Sequence, residues 1–355
     1  MSAWPLVLVL SIGCSDTNFG RAQTTDEFEQ APSNEVDILW VIDNSVSMAN
    51  EQASVASGAN DFLARLETTE MDFHLGVVNT DMDDDNPNAG ALIGNPPLIT
   101  SECRSDGDSS DCTYSDQFRA RVLQGTNGSD KEKGLQAALS AVSPPLSDTR
   151  NAGFLRPDAL LSIVILSDEN DCSDGGRLGS TANGADCYEQ WEQLSSVSDI
   201  VADLRATKAD PSRIRVSGIV GLEQAVSCDQ AVPGSRYWDV IAVMAGVRAD
   251  ICEADYSPIM DALGEIASGI LTTFQLEHAA YLDKDHPIEV EVTEPGGEPV
   301  LVLEDPANGW TYLADYAQIQ FNGDSVPARG SHIEVSYYIA GPVPDPPTDT
   351  GTTTP

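Results

Sequence analysis

Positive charge is the scarcest resource in this chain. Eighteen Lys and Arg stand against 57 Asp and Glu in 355 residues, a formal charge of −39. A surface so acidic excludes binding to nucleic-acid backbone or to anionic lipid through its bulk. Long apolar runs are missing too, since no stretch approaches the roughly 20 residues a membrane-spanning helix needs. Aromatic residues make up 6 % and the hydrophobic share is 41 %, which is ample for a core in one large domain or two smaller ones. The four histidines (His74, His278, His286 and His332) are scattered and there is no Cys-x-x-Cys, which argues against structural zinc.

The cysteines that are present point to an oxidising compartment. With Cys14 set aside, six remain and fall into three local couples, giving Cys103–Cys112, Cys172–Cys187 and Cys228–Cys252 as the expected bridges. Residues 1–14 read as an export signal, with an apolar run from Leu6 to Ile12 followed by Gly13-Cys14. The segment resembles the signal of a bacterial lipoprotein. That resemblance implies lipidation of Cys14 and a place in the cell envelope, with an ordinary cleaved signal as the alternative. Residues 15–34 are polar and aperiodic and read as a disordered tether. Residues 342–355, rich in Pro and Thr, read as a disordered tail.

Between these ends, strand-like and helix-like patterns alternate. Asp37 to Ile42 (DILWVI) and Leu160 to Leu166 (LLSIVIL) are nearly continuous apolar runs, as strands buried on both faces require. Phe73 to Val78, Ile214 to Val220 and a short edge strand at Gly90 to Ile93 complete the strand set. Helical spacing appears over 48–66 (Val55, Ala59, Phe62, Leu63, Leu66), over 188–206 and over 257–273. Ser129 and Glu132 form a capping-box pattern ahead of Gly134 to Leu139. The expected fold class is α/β: a doubly wound, mostly parallel sheet flanked by helices over 35–279. A small antiparallel β module follows over 280–341, where Ile288 to Val292 alternates with period 2 and Val300 to Leu303, Gln318 to Phe321 and His332 to Tyr338 come after it with Gly and Pro between them.

Two acidic positions end the two strongest strands. Asp43-Asn44-Ser45-Val46-Ser47 follows the first and Ser167-Asp168-Glu169-Asn170-Asp171 the later one. Adjacent parallel strands bring Asp43 and Asp168 to one edge, where two carboxylates need a cation or a shared proton. The i, i+2, i+4 spacing of Asp43, Ser45 and Ser47 lets three oxygens converge. Carboxylate and hydroxyl ligands favour a hard ion, Mg²⁺ or Ca²⁺. The acidic loop 80–86 lacks the Gly and Glu of an EF-hand and reads as a solvated loop. Asp171 and Asp174 read as turn residues before they read as a second ion site. Trp310 and Tyr312 read as core of the β module before they read as a glycan platform.

Asp-x-Ser-x-Ser in this strand context resembles the metal-ion-dependent adhesion site of von Willebrand factor type A domains. The later Asp168-to-Ser173 segment and Gly309-Trp310-Thr311-Tyr312 are similar to exported bacterial members. The resemblance implies that Asp43, Ser45 and Ser47 hold Mg²⁺ (or Ca²⁺ or Mn²⁺), supported by Asp168. It also implies a hydroxyl from the loop before the Gly134 helix. Ser129 is preferred there over Thr126, with a pure helix cap as the other role for Ser129. The implied function is non-enzymatic: a cell-envelope protein that engages a protein ligand's acidic side chain through the cation. Two alternatives stand beside it. One is a structural surface domain whose metal only stiffens loops. The other is a Mg²⁺-dependent phosphohydrolase, whose second Asp would fall where Ser45 stands.

Overall fold

The computed structural model describes residues 19–30, 33–84, 86–103, 113–222, 231–282, 286–314 and 317–342. The signal-like residues 1–14, with Cys14, lie outside them, as do Cys112, Cys228 and the tail from 343. In chain order the strands are β1 (Phe19–Glu29), β2 (Glu35–Ile42), β3 (Asp72–Asn79), β4 (Ile99–Thr100), β5 (Leu160–Ser167), β6 (Ile214–Val220), β7 (Ala245–Asp250), β8 (Thr273–Gln275), β9 (Glu289–Thr293), β10 (Val300–Val302), β11 (Trp310–Leu313), β12 (Gln318–Phe321) and β13 (His332–Pro342). The helices are α1 (Ala49–Ser57), α2 (Ala59–Thr68), α3 (Tyr114–Val122), α4 (Gly134–Val142), α5 (Gly184–Glu189), α6 (Val197–Arg205), α7 (Ser235–Val243) and α8 (Ser257–Ala267). Among the described residues no helix is long and apolar enough to cross a membrane. Residues 31–270 make one compact unit, and the described parts of 1–30 and 271–355 make another.

The first unit holds a six-stranded sheet in the order β4-β3-β2-β5-β6-β7, in which β4 runs antiparallel to β3 and the other pairs are parallel. The apolar run of β2 is explained by what covers it. Ile38, Trp40 and Ile42 pack with Phe62, Phe118 and Met260, while Leu39 and Val41 point the other way onto Leu135, Ala138 and Tyr237. Trp40 meets Phe62 edge-on at 5.4 Å and Phe118 at 5.3 Å between ring centroids. Each large side chain buried this completely contributes about 1.5–3 kcal/mol. The expected helix over 48–66 is split at Gly58 into α1 and α2, and glycine suits that position because a Cβ there would meet the Met260 side chain of α8 at 2.6 Å.

The second unit is antiparallel. One sheet runs β1-β13-β9-β10 and another β11-β12-β8. Its core gathers Phe274, Val290, Trp310, Ile319, Ile333 and Val335. Trp310 is 3 % exposed and its indole N–H donates to the Val302 carbonyl at 2.9 Å, so it is core and not an open platform.

Several sequence expectations are corrected by these facts. The expected doubly wound, mostly parallel fold with a small β appendage does not hold. The chain is mixed α/β with three sheets, two of them antiparallel and the third mixed through β4. The tether expected over 15–34 contains β1, paired with β13 from Phe19↔Pro342 to Glu29↔His332. An edge strand needs backbone hydrogen bonds more than apolar side chains, so a polar stretch can form one without a hydrophobic signature. Gly90 to Ile93 is not a strand; the edge position belongs to β4, though Ile93 N–H still donates to Val77 O. The helix over 188–206 is broken into α5, a 3₁₀ turn and α6, and the one over 257–273 stops at Ala267 before β8.

At the start of β2, opposite the strand's Asp43 end, Asp37 is fully buried against Arg156 Nε at 2.7 Å and Lys208 Nζ at 3.4 Å. Burial lifts the Asp37 carboxyl above its ordinary range in spite of the Arg156 bonds and the two positive charges. Removing it strands a lysine whose side chain is 1 % exposed. Asp37→Ala is expected to lower the unfolding free energy by about 3–5 kcal/mol in urea denaturation. Asp261→Ala, which breaks only the exposed Arg65 pair, is expected to cost less than about 1 kcal/mol.

Candidate functional site

The parallel register of β2 and β5, Ile42 opposite Leu166, sets Asp43 beside Ser167 and Asp168. Asp43 N–H donates to Leu166 O at 2.9 Å, continuing the ladder past the strand. The Asp43 carboxylate accepts from Ser45 N–H at 2.8 Å and from the Ser167 hydroxyl at 2.7 Å. Ser45 and Ser47 face one another, Oγ to Oγ at 3.4 Å, with the Ser47 hydroxyl beside Asp168. Four of the sequence-expected residues, Asp43, Ser45, Ser47 and Asp168, are therefore brought together. Asp43 is fully buried, Ser45 and Asp168 nearly so, while Val46 between the serines is 82 % exposed.

A neighbouring loop is fastened over this edge. The Gln52 side-chain amide on α1 donates to Asp43 O at 2.8 Å and Gly125 O at 2.9 Å, and Gly128 N–H donates to Asn44 O at 2.8 Å. Thr126 lies between these two anchors. A Cβ on Gly128 would meet the Asn44 amide at 2.3 Å, so only glycine allows the approach. The Ser129 hydroxyl is engaged elsewhere, donating to Asp83 Oδ2 at 2.7 Å, and Lys131 pairs with the same carboxylate at 2.8 Å. Asp83 thus pins the acidic loop 80–84 to the 129–131 segment.

Ser129 does not cap α4. Lys133 holds the N-cap position without a side-chain bond, and the helix is capped from β5's outgoing loop instead. Asp171 Oδ1 accepts from Leu135 N–H at 3.0 Å and Ser173 Oγ from Gln136 N–H at 2.8 Å. Arg236 pairs with Asp171 at 3.1 Å and Lys133 with Asp174 at 2.8 Å, so both acids serve the local architecture. The Cys172–Cys187 disulfide, Cα to Cα 5.4 Å, ties this loop to α5. That bridge fits an exported protein in an oxidising compartment. Cys252 is also disulfide-bonded, but its expected partner Cys228, like Cys112 of the Cys103 couple, lies outside the described residues.

One functional candidate escaped the sequence reading. Glu132, 1 % exposed, lies close enough to Asp43 and Glu169 to feel their charges. A lone Glu between two lysines reads as a solvated charge, and only its fit to a capping box drew notice. The acid crowding is marked. Burial, then the nearby Asp168 charge, pushes the Asp43 carboxyl up to about 7 against its hydrogen bonds. Burial and the charges of Asp43 and Glu169 push Glu132 up to about 10. Desolvation also raises Glu51, Asp168 and Glu169. Among the described residues Lys131, Arg236 and Lys133 are paired with Asp83, Asp171 and Asp174.

The buried oxygens that meet no hydrogen-bond partner among the described residues include Asn44 Oδ1, Glu51 Oε2, Glu132 Oε1 and Asp168 Oδ1. Orphaned buried acceptors beside two hydroxyls are a donor set that suits a hard cation. Among the described residues no three His, Cys, Asp or Glu side chains form a metal-holding group by themselves, so hydroxyl and amide oxygens would have to share the ligation.

No protein-family model matches the chain, and no curated protein matches it. Among solved structures it is similar to proximal thread matrix protein 1 from the mussel byssus, at 13 % identity and TM-score 0.36, over 71 % of this chain and 52 % of that one. It is also similar to the pilus adhesin SpaC from Lactobacillus rhamnosus GG, at 13 % identity and TM-score 0.38, over 91 % of this chain and 42 % of that one. The chain spans about half the length of these proteins or less. Scores this low assign neither family nor function.

The disulfide closes 15 residues of chain around the loop that caps α4. Replacing Cys172 and Cys187 together by Ala is expected to cost about 3 kcal/mol in denaturant unfolding under non-reducing conditions.

Proposed function

We propose that this protein is a non-enzymatic binding protein whose Asp43–Asp168 edge holds a divalent cation and, through it, an acidic side chain of a protein partner. The observation that supports this reading is the set of orphaned, buried oxygens of Asp168 and Glu132 beside the Ser45 and Ser47 hydroxyls. Asp43, Ser45, Ser47 and Asp168 would hold the ion, Mg²⁺ or else Ca²⁺ or Mn²⁺, in the manner of a metal-ion-dependent adhesion site. Glu132 stands close enough to Asp43 to share its charge field. A bound cation supplies a Lewis-acidic contact for a carboxylate and relieves the repulsion among the buried acids. The chain's own work is positional. Ser167 and the Ser45 amide orient Asp43, and Gln52 and Asn44 hold the 125–128 loop at the rim. Neutral hydroxyl ligands leave the ion short of negative charge, which favours an incoming acid. At long range the −39 charge repels acidic partners, so salt screening and local shape govern the encounter.

The paired cysteines and the Leu6-to-Cys14 segment support an exported protein held to a bacterial envelope membrane by a lipid on Cys14. The test is a thermal melt of the oxidised protein in chelator and then in excess Mg²⁺, Ca²⁺ or Mn²⁺, beside Asp43→Ala. A cation that binds only the folded form is expected to add about 2.7 kcal/mol at a hundredfold excess over its dissociation constant. Asp43→Ala is expected to abolish that gain, whereas Asp81→Asn, in the acidic loop, is expected to keep it. An equal response from Asp43→Ala would place the ion elsewhere and sink the reading. A stabilised protein that never releases a captured partner in chelator would favour the structural alternative.

A further inference from the structure

The antiparallel unit carries a surface that the cation edge does not use. A groove of about 590 Å³ lies between Leu282, residues 286–289, β10 and β11. Its walls are apolar and open: Leu282, Leu301 and Leu303 are 55 %, 53 % and 72 % exposed above a floor of Ile288 and Trp310. Val300, at the start of β10, is 63 % exposed. The run Val300-Leu301-Val302-Leu303 is therefore apolar on both faces, whereas β9 alternates Glu with Val. Among the described strands β10 pairs with β9 alone and ends its sheet. Trp310 covers one end of that edge, its backbone N–H donating to Leu303 O and its indole N–H to Val302 O, and the apolar edge left at Val300 and Leu301 is costly to leave in water and invites pairing.

Charge decides what would cover it. Glu289 and Glu304 line the groove, and neither meets a cation among the described residues. Residues 271–341 carry twelve acidic and two basic side chains. A second copy would set like charges against Glu289 and Glu304, and an anionic lipid surface would be repelled. A basic-ended partner meets complementary charge, and a strand-like one matches the open edge. We propose that this groove docks an extended segment of another protein, apolar along its length with Lys or Arg at its ends.

The experiment is fluorescence anisotropy of the full, oxidised chain with two labelled peptides. Both have Leu and Val alternating with Thr; one ends in Lys and the other in Glu. The Lys-ended probe is expected to bind, to weaken in high salt, and to bind at least about tenfold more tightly than the Glu-ended probe. Leu303→Asp, at an exposed position, is expected to weaken it about tenfold or more with an unchanged melting curve. The pair Glu289→Lys and Glu304→Lys is expected to reverse the preference between probes. Equal binding of the two probes, no binding of either, or indifference to Leu303→Asp overturns the proposal. So does a dimer, seen by sedimentation, that Leu303→Asp dissociates, because the second copy is then the occupant.

Discussion

Taking a carboxylate out of water costs several kcal/mol unless cations or hydrogen-bond donors replace the lost hydration. Among its described residues the unit 31–270 buries six of them: Asp37, Asp43, Glu132, Asp168, Asp171 and Asp174. They divide cleanly by what they meet. Asp37 is neutralised by Arg156 and Lys208, Asp171 by Arg236 and the first turn of α4, and Asp174 by Lys133. Asp43 and Asp168 have hydroxyls and Glu132 has other acids beside it, with no cation paired to any of the three among the described residues, and burial holds their carboxyls above the ordinary range. Acids that hold the fold together are paired, and those at the C-terminal edge of β2 and β5 are left wanting a positive charge.

The paired group positions the unpaired one. Asp171 and Ser173 fix the start of α4, and Cys172 N–H, bonded to Glu132 O at 2.7 Å, brings the segment before that helix to the same loop. Glu132 reaches the site because α4 begins where the β5 loop caps it. On the other side, Gln52 links α1, Asp43 and the 125–128 loop through one side-chain amide. The site is thus assembled from four separate stretches of chain, each tied to the next by backbone or amide bonds that do not depend on the acids being charged.

The antiparallel unit follows a different economy. Its Glu-Val alternation in β9 puts Val290 and Val292 inside and the acids outside, so the negative charge stays solvated and needs no partner. β10 abandons that alternation, and the same unit therefore presents acid and bare hydrocarbon side by side.

The places of strands β2, β3, β5 and β6 along the chain were legible in the sequence because a strand covered on both faces must be mostly apolar, and such runs are not mistaken for loops. Asp43 and Asp168 were legible for the same reason: each follows directly on one of those runs. The nearest-neighbour cysteine couple Cys172 and Cys187 was legible because short spacing limits the choices. What the tertiary structure alone decided has a common physical cause, which is that it rests on partners distant in sequence. β1 is polar and becomes a strand only because β13 offers it a backbone edge 300 residues away, as in Glu29↔His332. Ser129 and Glu132 satisfy a local capping pattern, but Asp171 reaches the helix first, leaving Ser129 to Asp83 and Glu132 to the buried acids. Local sequence carries the hydrophobic period and the positions that follow it; burial of a charge, and the loss of its partner, exist only once the chain has closed around it.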